Sequence, residues 1–595
     1  MIKVSKSNDG QPLSPLAFNQ KLLLTTIMCI GAFVLATNPS LVLAQESTPK
    51  KDKTLSHDHA TTTDTKNNKD FTLPEGLVWE TNNSDPVIAS PEAVPGGTYY
   101  SHLQDFPVTF RRVGPNSNSG IRSYLNSNQM GLLSLHPNTK NIIPSLATHW
   151  AVAADNQTVY YKLNTKAKWS DGKPVTAEDF QFTLTFMRSP HIVAPWYNNY
   201  YTEEIKDVVV HAPDVISVVA GKKHVKKTLL LTTTLSPMHK GFHKLDKDWV
   251  KNYNWKLEPT TGPYVLSSFK HGKFVTFKKK KSWWAQDLKY VKNTYNFEKL
   301  HFKVIRNQEA IWQNFLAGKL TEHHLTIPDL WHNKAKGGVF DKGYVKKLWF
   351  YTDTPHGAQI LFINSSRKPW DDVNVRKAFA HALNFDKVNK NITQSEYVRL
   401  PAFYIGYDNY DNKGVTAREF SVAKASSLMK QSGYTLGSDG FWQKNGEKLE
   451  AKILYTAKYH QPRLILLKEE AKKAGFDIVL DMKEPSAGFK QQSDKKYDIA
   501  WAGFGIGGAQ PPPPFWQFFH SVNAKPQTNN LTMTASPELD KLIDAYKATF
   551  DETKKQELSR KMIQFIHDDA AFIPGLINPF VRMAYWRYVM LPKVP

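Results

Sequence analysis

The sequence predicts an α/β protein organised around more than one core. At 595 residues the chain is well past the length at which a single core stops growing and chains divide. From Ala358 onward, apolar runs of strand length alternate with helical patterns, which predicts a largely parallel sheet covered on both faces. A separate set of strands and helices lies before it, so the alternation near Ala358 opens a second unit.

The N-terminal residues read as an export signal. Lys21 leads into Leu22–Ala36, an apolar run of signal-core rather than membrane-spanning length, and Val42-Leu43-Ala44 offers small residues for cleavage before Gln45. The one cysteine, Cys29, lies inside this signal, so the mature chain is expected to hold neither thiol nor disulfide and to rest on its core alone. Gln45–Asp70 is polar, charged and threonine-rich, a disordered spacer by composition, and an extended, proline-punctuated lead-in continues to residue 95. His57-Asp58-His59 in the spacer could catch a metal, although short motifs in such tails seldom do.

Gly96–Tyr100 predicts entry into a first strand, and Leu146–Trp150, a turn at Asp155-Asn156-Gln157 and a strand at Thr158–Leu163 come next. Asp171-Gly172 is a tight turn. Thr176 with Asp179 three residues on is a capping box opening a helix to Arg188, its Phe180, Leu184 and Met187 on one face. Strands are expected at Val208–Val210, Val215–Val219 and Thr228–Leu231, paired strands from Tyr264 to Lys281, and a helix at Glu309–Leu320. In the second unit, strands are expected at Ile360–Ile363, Leu449–Tyr455 and Phe476–Leu480. Helices are expected after Asp371-Asp372, at Val422–Gln431 and at Arg463–Ala474. Two more, at Pro537–Phe550 and Lys554–His567, lead to an apolar tail.

The stretch Tyr497–Phe519 stands apart. A buried strand through Ile499, Ala500 and Trp501 breaks into Gly503, Gly505, Gly507 and Gly508, then Pro511–Pro514, then Phe515, Trp516, Phe518 and Phe519. Glycines leave the backbone open to close approach, and prolines stiffen the chain beyond them. Accessible main chain walled by aromatic rings suits holding an organic ligand without reacting with it. Gly503 to Gly508 matches G-x-G-x-x-G, but a dinucleotide site needs a helix to open there, and four prolines oppose one. A surface turn without ligand is the plain alternative.

The formal net charge of +23 falls to about +21 once residues 1–44 are removed. A lysine-rich surface of this kind favours encounter with anionic partners. A nucleic-acid role would call for arginine-rich grooves or a recognisable module, and neither is present. No G-x-S-x-G elbow, H-E-x-x-H or P-loop occurs, and His323-His324 are adjacent, a poor ligand pair on a helix. No cofactor is expected.

Trp169-Ser170-Asp171-Gly172-x-Pro174-Val175-Thr176-Ala177-x-Asp179-Phe180 resembles the signature of the family-five extracellular solute-binding proteins, the dipeptide- and oligopeptide-binding components of bacterial ABC importers. Thr261-Gly262-Pro263-Tyr264, Ala317-Gly318, Ile363-Asn364, Trp370-Asp371-Asp372-x-x-Val375-Arg376-x-Ala378, Ala382-Leu383-Asn384, Ala474-Gly475 and Tyr497-Asp498 fit in the same order, and the resemblance spans nearly all of 96–590. Glu396-Tyr397-x-Arg399-Leu400-x-Ala402-Phe403-Tyr404 further resembles the branch linked to microcin C and peptide uptake.

The resemblance implies two lobes of the periplasmic-binding-protein fold, joined by two crossovers, with the ligand between them. Lobe one would take 96–350 and 532–595, with a small subdomain at about 131–240, and lobe two 351–531. It implies a monomer in the periplasm that carries a peptide or peptide-like ligand to a membrane permease. The sequence departs from the family where an aspartate pairs with the ligand's free α-amine: about Gly507 stands there. A buried ammonium would then lack its charge partner, so blocked peptides or a ligand with no cation at that end are expected. Gly505, Ile506 and Gly507 would supply backbone groups, Trp501, Phe504 and Trp516 pocket walls, and Arg399 a partner for a carboxylate, with Tyr404 beside them. Each tryptophan equally suits core packing, and Arg399 an ion pair within the protein. A secreted hydrolase of peptide-like substrates and an adhesive or chaperone-like role for the basic face are the alternatives.

Overall fold

The computed structural model describes residues 73–591, apart from 118, 352–357, 404–406, 505–514 and 527. The signal, the spacer with His57-Asp58-His59, and Gly505–Pro514 therefore lie outside the described residues.

Two groups of sheets make the two lobes. In the first, strand Thr98–Leu103 runs parallel to Lys299–Val304, which continues into Phe274–Lys279 and Tyr264–Lys270. A second four-stranded sheet orders Ala147–Val152, Thr158–Leu163, Val215–Ala220 and Ile205–Ala212, and its own core runs from Val113 to Tyr253. Helix Ala177–Arg188 packs there, opened by the expected capping box of Thr176 and Asp179. Asp179 is buried and does more than cap: it accepts from the Trp169 indole at 3.0 Å, the Thr176 amide at 3.0 Å and the Lys240 amide at 3.0 Å.

The strand expected at Thr228–Leu231 is instead a helix, Lys226–Thr233. Leu229, Leu230 and Thr233 are its buried positions, at helical rather than alternating spacing. The Thr233 hydroxyl reaches back to the Leu229 carbonyl at 2.8 Å and meets the Tyr161 hydroxyl at 2.6 Å, which holds the helix on the sheet.

The second group centres on a six-stranded sheet ordered Val398–Arg399, Phe572–Ile577, Ala358–Ile363, Ile499–Phe504, Glu450–Tyr455 and Asp477–Met482. Its faces alternate: Leu361 and Ile363 enter one core with helices Val373–Ala382, Phe385–Ile392 and Gln461–Lys473, while Ile360 and Phe362 enter another with Pro537–Ala548 and Glu552–Asp569. The largely parallel sheet expected from sequence is a mixed one. Only the pairs that Glu450–Tyr455 makes with Asp477–Met482 and Ile499–Phe504 are parallel; the other pairs are antiparallel. The cause is topological. Ala358–Ile363 brings the chain into this lobe and Phe572–Ile577 takes it out, and an entering and a leaving strand side by side run in opposite directions.

The return to lobe one also falls later than residue 532. Helices Pro537–Ala548 and Glu552–Asp569 and strand Phe572–Ile577 stay with the six-stranded sheet, and only Phe580–Trp586 crosses back, between Glu322–His324 and Val345–Tyr351.

Candidate functional site

The same two chain segments pair on both sides of the boundary between lobes. Val345–Tyr351 runs antiparallel to Phe580–Trp586, ending at Tyr351 opposite Phe580. Past the boundary Ala358–Ile363 runs antiparallel to Phe572–Ile577, starting with Ala358 opposite Ile577. Between these two ladders the second segment leaves strand at Asn578-Pro579, so the ribbon that links the bodies is interrupted there. Strand Ile499–Phe504 ends at this level, with Phe504 opposite Ala358.

Trp501 is 4% exposed. Its ring lies nearly parallel to that of Phe385 (centroids 6.4 Å apart, planes at 10°) and edge-on to His460 at 5.7 Å. Arg399 joins this group, its guanidinium carbon 3.9 Å from the Phe385 centroid. The Arg399 Nη1 donates to the carbonyls of Pro574 and Gly575, the latter at 3.0 Å. Burial brings the Arg399 pKa down to about 9, with Asp386 opposing it; charge there comes at a cost that a nearby anion offsets. Burial, then the Arg463 charge, lowers His460 to about 3, so the ring is neutral. The Trp501 Nε1 and the His460 Nδ1 are both buried without a hydrogen-bond partner.

Trp516 lies elsewhere. It packs on the opposite face of the six-stranded sheet, with Phe403 and Phe515 in the same core, and the Lys547 ammonium sits 4.6 Å from its ring centroid. So Trp501 and Arg399 come together on one face, through Phe385, and Trp516 belongs to the other. Phe504 is described only as backbone; Tyr404, Gly505, Ile506 and Gly507 lie outside the described residues.

Among the described residues, groups of the two lobes face one another on both sides. On one side Glu396 takes two hydrogen bonds from Arg582, at 2.6 and 2.8 Å, and one at 2.6 Å from the His332 ring, while the Tyr397 hydroxyl donates to the Thr326 carbonyl at 2.8 Å. Burial works against the Glu396 charge, but the bonds from Arg582 and His332 outweigh it and hold the carboxyl below its usual range. On the other side, burial lowers the Lys547 pKa, Lys222 adds to the shift, and Glu204 and Glu203 from lobe one oppose it. Sequence reasoning missed Phe385, His460 and the Glu396–Arg582 contact. Lone residues distant in sequence carry no spacing signal, and only the sheet brings them together. Among the described residues no three His, Cys, Asp or Glu side chains cluster to hold a metal, and no helix is long and apolar enough to cross a membrane.

Comparison with known proteins fits this geometry. The family described as bacterial extracellular solute-binding proteins, family 5, matches residues 141–526. The dipeptide-binding protein DppE of Bacillus subtilis is 25% identical over 453 residues, covering 72% of this chain and 78% of its own. Among solved structures, the oligopeptide-binding protein AppA of Bacillus subtilis with a nonapeptide superposes with a TM-score of 0.71 at 18% identity, over 83% of this chain and 95% of that one. NikA from Brucella suis with Fe(III)-EDTA does so at 0.66 and 19%, over 84% and 97%. The structural likeness is one of fold, two-lobed and α/β. These likenesses do not single out the microcin-C-type branch.

Proposed function

The chain belongs to the family 5 bacterial extracellular solute-binding proteins, which makes it a transport component and not an enzyme, and from that premise we propose that it captures peptides or peptide-like solutes in the periplasm and delivers them to an ABC-type permease. The observation that carries the reading is the interrupted ribbon. Two bodies whose shared ribbon breaks at Asn578-Pro579 can rotate about that level and enclose a guest between them. Phe504, opposite Ala358, ends the described part of the strand at this level, and main chain made accessible by glycine can bond an extended peptide as an added strand would.

The cargo proposed is one without a free α-amine. About Gly507 replaces the carboxylate that the family's peptide binders turn toward that group, and an ammonium enclosed there would be uncompensated. Native mass spectrometry of the mature protein, purified without refolding and then offered equal amounts of N-acetylated and free peptides, tests both parts. One intact acetylated peptide per protein is the expected result. Retention of peptides with ordinary charged N-termini contradicts the specificity, and cleaved products contradict the transport role.

A further inference from the structure

Arg122 is a buried cation without an acid. It lies in the first turn of helix Gly120–Ser127, 8% exposed. One Nη donates to the Tyr197 hydroxyl, and the guanidinium carbon is 5.4 Å from that ring's centroid, while the Nε is buried without a partner. Among the described residues no Asp or Glu pairs with it. Arg112 has Glu258 at 2.8 Å and Arg376 has Asp569 at 2.5 Å, and Arg111, which has no ion pair, is met by the Val113 and Pro115 carbonyls. A guanidinium withdrawn from water is costly unless an anion meets it.

Two further features converge on the same point. Ser119 is the N-cap of this helix, with extended backbone, yet its side chain makes no capping bond, and its Oγ is buried and unpartnered. A serine there ordinarily accepts from the first turn. The helix N-terminus adds its own partial positive charge. Tyr197 belongs to helix Pro195–Glu203, whose far end, with Glu204, is the part of lobe one that acts on Lys547, and Lys547 covers Trp516. Helix Pro195–Glu203 thus connects Arg122, at Tyr197, with the charged groups that face Lys547 of the other lobe.

We infer that Arg122, with the Ser119 and Tyr197 hydroxyls, forms a seat in lobe one for a carboxylate of the enclosed guest. Resting on the reading of an enclosed peptide-like solute, this names the group at one end of it. The carboxylate is either a peptide C-terminus or an acidic side chain; a planar fork matches both.

The test has two arms on the full mature protein. In the first, the melting temperature is followed as acetate replaces chloride at constant ionic strength. Acetate is expected to raise it in the wild type and not in Arg122→Met, with Arg122→Lys keeping part of the effect. No acetate-specific rise in the wild type, or an equal rise in Arg122→Met, overturns the seat. In the second arm, three N-acetylated tetrapeptide libraries are offered: free acid, C-terminal amide, and amide containing one glutamate. Tenfold or greater retention of the free acid over the plain amide assigns the seat to a C-terminus, and preference for the glutamate amide assigns it to a side chain. Equal retention of all three overturns it. An acetate effect with no library retained leaves the seat standing and removes the peptide-like cargo.

Discussion

Replacing Asp179 by alanine is expected to release helix Ala177–Arg188 from its sheet. Three donors converge on this buried carboxylate, at 3.0 Å each: the Trp169 indole, the Thr176 amide and the Lys240 amide. The indole itself is 1% exposed, so it cannot turn to water. Hydrogen bonds to a charged acceptor contribute about 1.5–3 kcal/mol each, and a buried donor left unmade costs about 1–3 kcal/mol. Allowing for one of the two backbone amides to find water, the loss is about 4 kcal/mol, or roughly a thousandfold in a local opening constant. Asp179→Asn keeps one acceptor oxygen and should lose about half of that free energy. The assay is native-state hydrogen exchange of the amides in this helix, which reports local opening whether or not the whole chain unfolds in one step. Acceleration below about tenfold in Asp179→Ala would show that the three bonds do not hold the helix.

Other perturbations have equally definite outcomes. The side chains of Glu396 and Arg582 are 19% and 8% exposed, between surface and buried pairs, so Arg582→Met should cost about 2 kcal/mol and speed exchange at 326–332 roughly thirtyfold. Because the Glu396 carboxyl is held below its ordinary 4.5, that contribution is complete above pH 4.5 and fades as pH falls through the lowered value, which the same exchange measurement at descending pH would track. Burial lowers His323 and His460 to about 3. Below pH 6.5 the unfolded chain takes up protons that these rings refuse, so stability falls as pH falls from 6.5 toward 3, by up to about 2 kcal/mol for each ring at pH 5. His323→Leu, set against the Trp312 and Phe315 rings, should flatten the pH dependence of the unfolding midpoint. Gly475 has φ +78°, and an added Cβ would lie 2.8 Å from the Trp442 Nε1 and 2.9 Å from Leu436, so Gly475→Ala should lose about 1–3 kcal/mol in urea denaturation.

The motifs legible in the sequence are mostly joints. Asp179 ties a turn to a helix. Gly262 stands where a Cβ would come within 2.2 Å of the Asn128 carbonyl oxygen, and the Asn364 amide donates to the Lys495 and Tyr497 carbonyls at 3.1 and 3.2 Å. Arg376 binds the Trp370 carbonyl at 2.8 Å and the Asp569 carboxylate at 2.5 Å. Such residues read well because each serves a local geometry. Strand direction did not read, because nothing in Ile360–Ile363 records that its neighbour Phe572–Ile577 is the leaving strand. The leucines of Lys226–Thr233 form too short a run for periodicity to separate helix from strand. In the candidate site, Trp501 was legible as a buried aromatic, but the Phe385 ring that joins it to Arg399 depends on a helix more than a hundred residues away in sequence.

The central claim is that a guest between the lobes changes the angle between them. Cargo released from the purified protein, returned to protein stripped of it, should contract the molecule in small-angle X-ray scattering, with a lower radius of gyration and a shorter maximum dimension at one equivalent. A profile unchanged by cargo that mass spectrometry shows to be bound would contradict hinge closure about the interrupted ribbon.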